Sequence, residues 1–134
     1  MRRKDKEITS LEWMESVLQE AEYFELAMCR GNEPYVLPMN FGYAPGFIIV
    51  HGARAGQKID ILRENPNVAF NAVAGAEIIR CETDPSEFSM SFRSVSGTGT
   101  AEFIEDTAEK RAALQILMKH YDGPLSPMPD SVLL

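Results

Sequence analysis

His51 and Lys58 bracket two glycines in the stretch Val50-His-Gly-Ala-Arg-Ala-Gly-Gln-Lys-Ile59. The chemistry open to such a set is the holding of an anion. Phe47-Ile-Ile-Val50 is an apolar run that reads as a strand, and Lys58-Ile-Asp-Ile-Leu-Arg-Glu-Asn65 reads as a helix. A glycine-bearing turn between them frees backbone N–H groups at a helix N-terminus, where negative charge is favoured. Lys58 adds a mobile cation in the first turn. His51 adds a donor at the strand end. Together they describe a cradle for one phosphate, and hence a phosphorylated cofactor. Taken alone, the same pattern also describes a plain chain reversal with a surface lysine and a hydrogen-bonded core histidine.

The elements that would position this segment follow from periodicity and punctuation. Thr9 and Glu12 form a capping-box pattern, with Leu11, Met14, Val17, Leu18 and Ala21 at helical spacing behind it. Tyr23–Cys29 and Tyr35–Phe41 read as a hairpin about the turn Gly31-Asn-Glu-Pro34. Pro38 demotes its strand locally, as at a sheet edge or beside a ligand. The Lys58 helix closes at Asn65-Pro66, because the residue before a proline leaves the helical region. Asn67–Val73 is a further strand, and Glu77–Cys81 a short one. Phe88, Met90 and Phe92 alternate with polar residues in a run reaching Ile104, and Gly97 and Gly99 mark a bend or bulge in it. A last helix runs from about Asp106 to His120, with Ala112, Leu114, Leu117 and Met118 as its apolar stripe. About six antiparallel strands with helices at the edges imply a mainly β domain, a small barrel.

Composition narrows the function. The chain has 134 residues, the size of one domain, with 45% hydrophobic and 25% charged residues, as in a soluble globular protein. No apolar run reaches the length of a membrane span, and the basic start Arg2-Arg-Lys4 leads into charged residues, not a signal peptide. A net charge of −7 argues against nucleic acid as a partner. It also favours a short, local phosphate cradle over a diffuse basic patch. Two cysteines, Cys29 and Cys81, make neither a zinc pattern nor a disulfide framework, so a cytoplasmic setting is expected. Cys29, on a strand, is expected buried and inert. His51 and His120 are the only histidines and no ligand spacing occurs, so no metal site is expected.

Several motifs in order resemble one family. They are Met1-Arg-Arg-Lys-Asp-Lys-Glu-Ile8, Pro34-Tyr-Val-Leu-Pro-Met-Asn-Phe-Gly-Tyr43, His51-x-Ala53-x-x-Gly56-x-Lys58, Asn65-Pro-x-Val68-x-Phe70, Phe92-Arg-Ser-Val95-x-Gly97, and Glu109-Lys-Arg-Ala-Ala-Leu114 followed by Leu117-Met-x-His-Tyr121. The chain resembles the pyridoxamine 5′-phosphate oxidase-like flavin proteins, and among them the nitroimidazole-reductase group. The resemblance implies a split β-barrel that forms a homodimer with FMN at the subunit interface. It implies that His51, Gly52, Ala53 and Lys58 cradle the FMN phosphate. It places Pro38, Met39, Asn40 and Phe41 against the isoalloxazine, with Arg93, Ser94 and Val95 as a second contact. For Arg93 the alternatives are a forked pair with phosphate and a surface salt bridge. Two departures stand out. Gly52 replaces the serine usual after the strand-end histidine. The family also runs on into one more strand where this sequence ends, so either a missing edge strand or a fragment is expected.

The function implied is an FMN-dependent oxidoreductase passing electrons from a reduced nicotinamide to a small organic acceptor, nitroaromatic or quinone-like. The absence of a nucleophile elbow or acid–base triad does not oppose this, because a flavin carries its own redox chemistry. His51 as a proton donor is the weaker alternative to its phosphate role. A flavin-binding module without turnover, and a dimeric barrel with a decayed site, are the other readings. Oxidation of pyridoxamine phosphate itself is disfavoured, because no second basic cluster stands near the motifs for a substrate phosphate.

Overall fold

In a computed structural model the chain is described over residues 10–52, 55–80, 83–87 and 89–121. The first helix, α1, spans Leu11–Glu20 and is capped by Ser10, whose hydroxyl accepts from the Trp13 N–H at 3.3 Å. The cap thus falls one residue after Thr9, which lies outside the described residues. Either hydroxyl could cap; the one used is the residue whose backbone is extended just before the first turn. α1 buries Val17 and Leu18.

Strands β1 (Phe24–Arg30) and β2 (Glu33–Met39) pair antiparallel about a two-residue turn, where Gly31 takes a φ of 57° that suits a hairpin. The short strands β3 (Gly42–Ala44) and β4 (Phe47–Ile49) form a second, separate hairpin. Helix α2 (Gln57–Glu64) follows, closing at Asn65 as Pro66 requires. Strands β5 (Asn67–Ile79) and β6 (Ser89–Thr100) complete a four-stranded antiparallel sheet in the order β2-β1-β5-β6. Helix α3 (Thr107–His120) is capped by Asp106, which accepts from the Glu109 N–H at 3.0 Å. This is the mainly β, split-barrel architecture expected, with six antiparallel strands and flanking helices. No described helix is long and apolar enough to cross a membrane.

Five local expectations are corrected. The segment Glu77–Ile79 is not a strand of its own but the end of β5. The irregularity lies in β5, not at Gly97 or Gly99. The register steps from Ala74↔Arg93 to Glu77↔Ser91, so Gly75 and Ala76 together oppose Phe92, and Gly75 has a φ of 63°. That is a bulge with glycine in the left-handed region. Gly97 serves packing: a Cβ there would lie 2.8 Å from the Phe70 ring. β6 ends at Thr100, short of Ile104. On α3 the buried alanine is Ala113, while Ala112 is exposed. Cys29 is half-exposed on the outer face of β1, its thiol donating to the Gly31 carbonyl at 3.1 Å, and Cys81 lies outside the described residues.

The core sits where the sheet, the β3–β4 hairpin and the helices meet. Phe24 and Phe41 are fully buried, their ring centroids 4.9 Å apart. α3 packs on β3 so closely that a Cβ on Gly42 would lie 2.6 Å from the Leu117 Cα. Tyr43, next along, donates its phenol to the Glu15 carboxylate of α1 at 3.0 Å. Burial, then that hydrogen bond and the charge of Glu15, raise the Tyr43 pKa above its ordinary value of 10.0.

Two outcomes are expected. Gly42→Ala must push backbone from backbone and destabilises by about 1–3 kcal/mol, whereas Gly99→Ala, with nothing within 4 Å, stays near wild type; thermal unfolding compares them. Tyr43→Phe loses about 1 kcal/mol at neutral pH. The raised folded pKa means this contribution is complete below pH 10 and disappears as pH rises through the folded value. Denaturant titrations across that range therefore show a smaller alkaline loss in the variant.

Candidate functional site

The β3–β4 hairpin brings the two halves of the candidate site to one end. Its terminal pair is Gly42↔Ile49. Asn40 and Phe41 enter that end, and Val50 and His51 leave it. Pro38, exposed on β2, lies on an edge strand, where a residue without an N–H is tolerated. The four residues expected against the isoalloxazine then divide. Met39 and Phe41 turn inward, Phe41 completely, and Asn40 is exposed. The Phe41 N–H is occupied, donating to the Tyr121 hydroxyl at 3.1 Å.

Beyond the hairpin, Gly52 and Lys58 come together. A Cβ on Gly52 would lie 2.5 Å from the Lys58 Nζ. The lysine ammonium therefore stands in the volume that a side chain at position 52 would fill. A serine there would supply a hydroxyl; the glycine admits a cation instead. Gly56 is the N-cap of α2; its φ of 131° suits glycine, and it offers no side-chain cap. The first-turn N–H groups are thus not satisfied by a capping side chain. Asp60, exposed in the same turn, places one carboxylate against this positive end. His51 is exposed and makes no hydrogen bond among the described residues. Ala53, expected in the same cradle, lies outside the described residues.

Arg93, Ser94 and Val95 lie elsewhere in the fold. Met39, Phe24, Ala72 and Val95 form one row across the sheet, so Met39 and Val95 are three strand spacings apart, roughly 14 Å along the sheet. Ser94, opposite Val73, is half-buried on the outer face. Arg93 is paired with Glu20 at the end of α1, and its guanidinium passes 3.8 Å from the Cβ position of Gly75 in the bulge. Of the two alternatives for Arg93, the ion pair within the chain is the one present. Glu20 was not singled out from the sequence; its place in the last turn of an amphipathic helix gave no sign of a partner on β6.

One group near the site had no assigned role in the sequence. His120 and Tyr121 end α3, and both reach back to the joint after α1. The His120 Nε2 lies 2.7 Å from the Ala21 carbonyl, and the Tyr121 hydroxyl donates to the Glu22 carbonyl at 2.5 Å. Only their place in the motif Leu117-Met-x-His-Tyr121 marked them.

Comparisons with known proteins bear on the fold and the family. A solved structure of a candidate 5-nitroimidazole antibiotic resistance protein from Bacteroides thetaiotaomicron superimposes with a TM-score of 0.82 and 32% identity, over 94% of this chain and 75% of that one. An FAD- and haem-binding protein from Mycobacterium smegmatis shares the fold at 23% identity and a TM-score of 0.80, over 94% of this chain and 62% of that one. An uncharacterized protein of Rhizobium meliloti (strain 1021) is 32% identical over 63 residues, a stretch of 47% of this chain and 41% of that relative's length. The model of the family described as pyridoxamine 5′-phosphate oxidase matches residues 11–131, and the chain belongs to that family.

Proposed function

We propose that the protein binds FMN and serves as an oxidoreductase for small organic acceptors, nitroaromatic or quinone-like, with a reduced nicotinamide as donor. One observation carries the cofactor reading. The Lys58 ammonium sits over Gly52, beside a helix start whose N-cap residue is glycine and makes no side-chain cap bond. That arrangement fits a phosphate: a point charge, a close backbone approach and open N–H groups converge. The flavin fold-neighbour from Mycobacterium smegmatis supports a flavin in this architecture. When bound, FMN supplies hydride and electron transfer, and the protein supplies binding and orientation.

In this reading Lys58, Gly52, Ala53 and His51 hold the phosphate end. Asn40 offers its exposed amide to the ring edge, with Pro38 beside it and Met39 and Phe41 as the buried support. Arg93, Ser94 and Val95 form a second contact set roughly 14 Å away along the sheet. The reading includes a homodimer in which Ser94, on the outer sheet face, turns toward the partner, while Arg93 and Val95 lie on the inner face of their own sheet. The outer sheet face supports an interface, since the row Val36, Ala27, Ala69, Thr98 is small-residued and Val36 is 62% exposed. A second reading, flavin binding without turnover, is favoured by the isolation of His51, which has no acid or base beside it among the described residues.

Added FMN is expected to remain with the full-length protein through desalting, giving visible flavin absorbance. Lys58→Ala should weaken its affinity by about 1.5–3 kcal/mol, the value of a charged hydrogen bond. Absence of uptake by the wild type sinks the reading. Steady-state oxidation of a nicotinamide with a nitroaromatic acceptor then separates the enzyme from the binding module.

A further inference from the structure

We infer that Tyr121, with His120 beside it, is a positioning residue that fixes the backbone of Asn40 and Phe41 for the flavin ring. The inference rests on the reading of that segment as the ring contact. β2 ends at Met39 and β3 starts at Gly42, so Asn40 and Phe41 belong to neither ladder. The Phe41 amide is held by a side chain instead, the Tyr121 hydroxyl at 3.1 Å. A phenol has one proton, and Tyr121 donates it to the Glu22 carbonyl at 2.5 Å. The hydroxyl therefore accepts from one chain joint and donates to another.

His120 makes the placement rigid. A carbonyl only accepts, so the His120 Nε2 carries the proton shared with the Ala21 carbonyl at 2.7 Å. The same ring lies 4.6 Å from Phe41 and stands edge-on to Tyr121 at 4.7 Å. The end of α3 thus grips the joint after α1 and the joint between β2 and β3 at once. Phe41 has no exposed surface and its N–H has the Tyr121 hydroxyl as its partner, so deleting that hydroxyl removes the bond that holds this amide in place. The backbone there must then move, and the exposed Asn40 amide moves with it.

The test compares full-length wild type with Tyr121→Phe, which keeps the ring and its packing and deletes only the hydroxyl. Hydrogen exchange at the Phe41 amide is expected to quicken at least about tenfold relative to the β1–β2 amides. FMN affinity should fall several-fold, and the visible band of bound FMN should change shape or position. Leu117→Ala, a packing loss on the same helix, is the comparison: it should lower stability and leave the band unchanged. An unaltered band in Tyr121→Phe, or the same change in both variants, overturns the inference. If Tyr121→Phe does not fold, amide NMR of the wild type decides. FMN must shift the Asn40 and Phe41 resonances, and bound FMN with both unmoved overturns the positioning role while flavin binding stands. A wild type that takes up no FMN overturns both, the functional reading first.

Discussion

Phe41 is the contact on which the rest of the molecule depends. Its ring has no exposed surface and packs tilted on Phe24 of the sheet and on His120 of α3. It stands at the joint between the four-stranded sheet and the β3–β4 hairpin, so the hydrophobic gain of burying one large ring ties the two together. Gly42, directly after it, lets α3 approach to backbone contact. The residues that flank this joint, Asn40 on entry and His51 on exit from the hairpin, inherit their positions from it.

Charge is handled locally. The chain is acidic overall, and among the described residues three arginines have partners: Arg93 with Glu20, Arg30 with Glu64 at 2.5 Å, and Arg63 over the Phe103 ring at 4.4 Å. These surface pairs contribute little to stability. Lys58 has no such partner among the described residues, and the missing side chain at Gly52 gives its ammonium a place against backbone. An anion binding there gains from a single well-placed charge and open helix amides, against the field of the whole protein.

The strands and helices were legible because each carries its own signal. Alternation in β6, the Asn65-Pro66 stop after α2 and the Asp106 start of α3 are local features read by local rules. The misplaced bulge arose where glycine serves two purposes. Gly97 makes room for Phe70, which looks in the sequence like a bend, while the true bulge at Gly75 lies where a strand seemed to stop. The cradle segment was legible as a turn onto a helix. What was not legible is tertiary: that Arg93 is taken by a helix 73 residues earlier, and that Tyr121 closes on an amide 80 residues away. No spacing in one chain encodes a pairing at that separation.

The central claim is that the Gly52–Lys58 cradle recognises a flavin by its phosphate. Titration of the full-length protein with FMN and, separately, with riboflavin tests it most directly, since the two share the ring and differ in the phosphate. FMN is expected to bind at least about tenfold more tightly, one charged hydrogen bond being worth about 1.5 kcal/mol or more, and added salt should narrow the gap. Equal affinity for the two, at any salt concentration, would contradict the account.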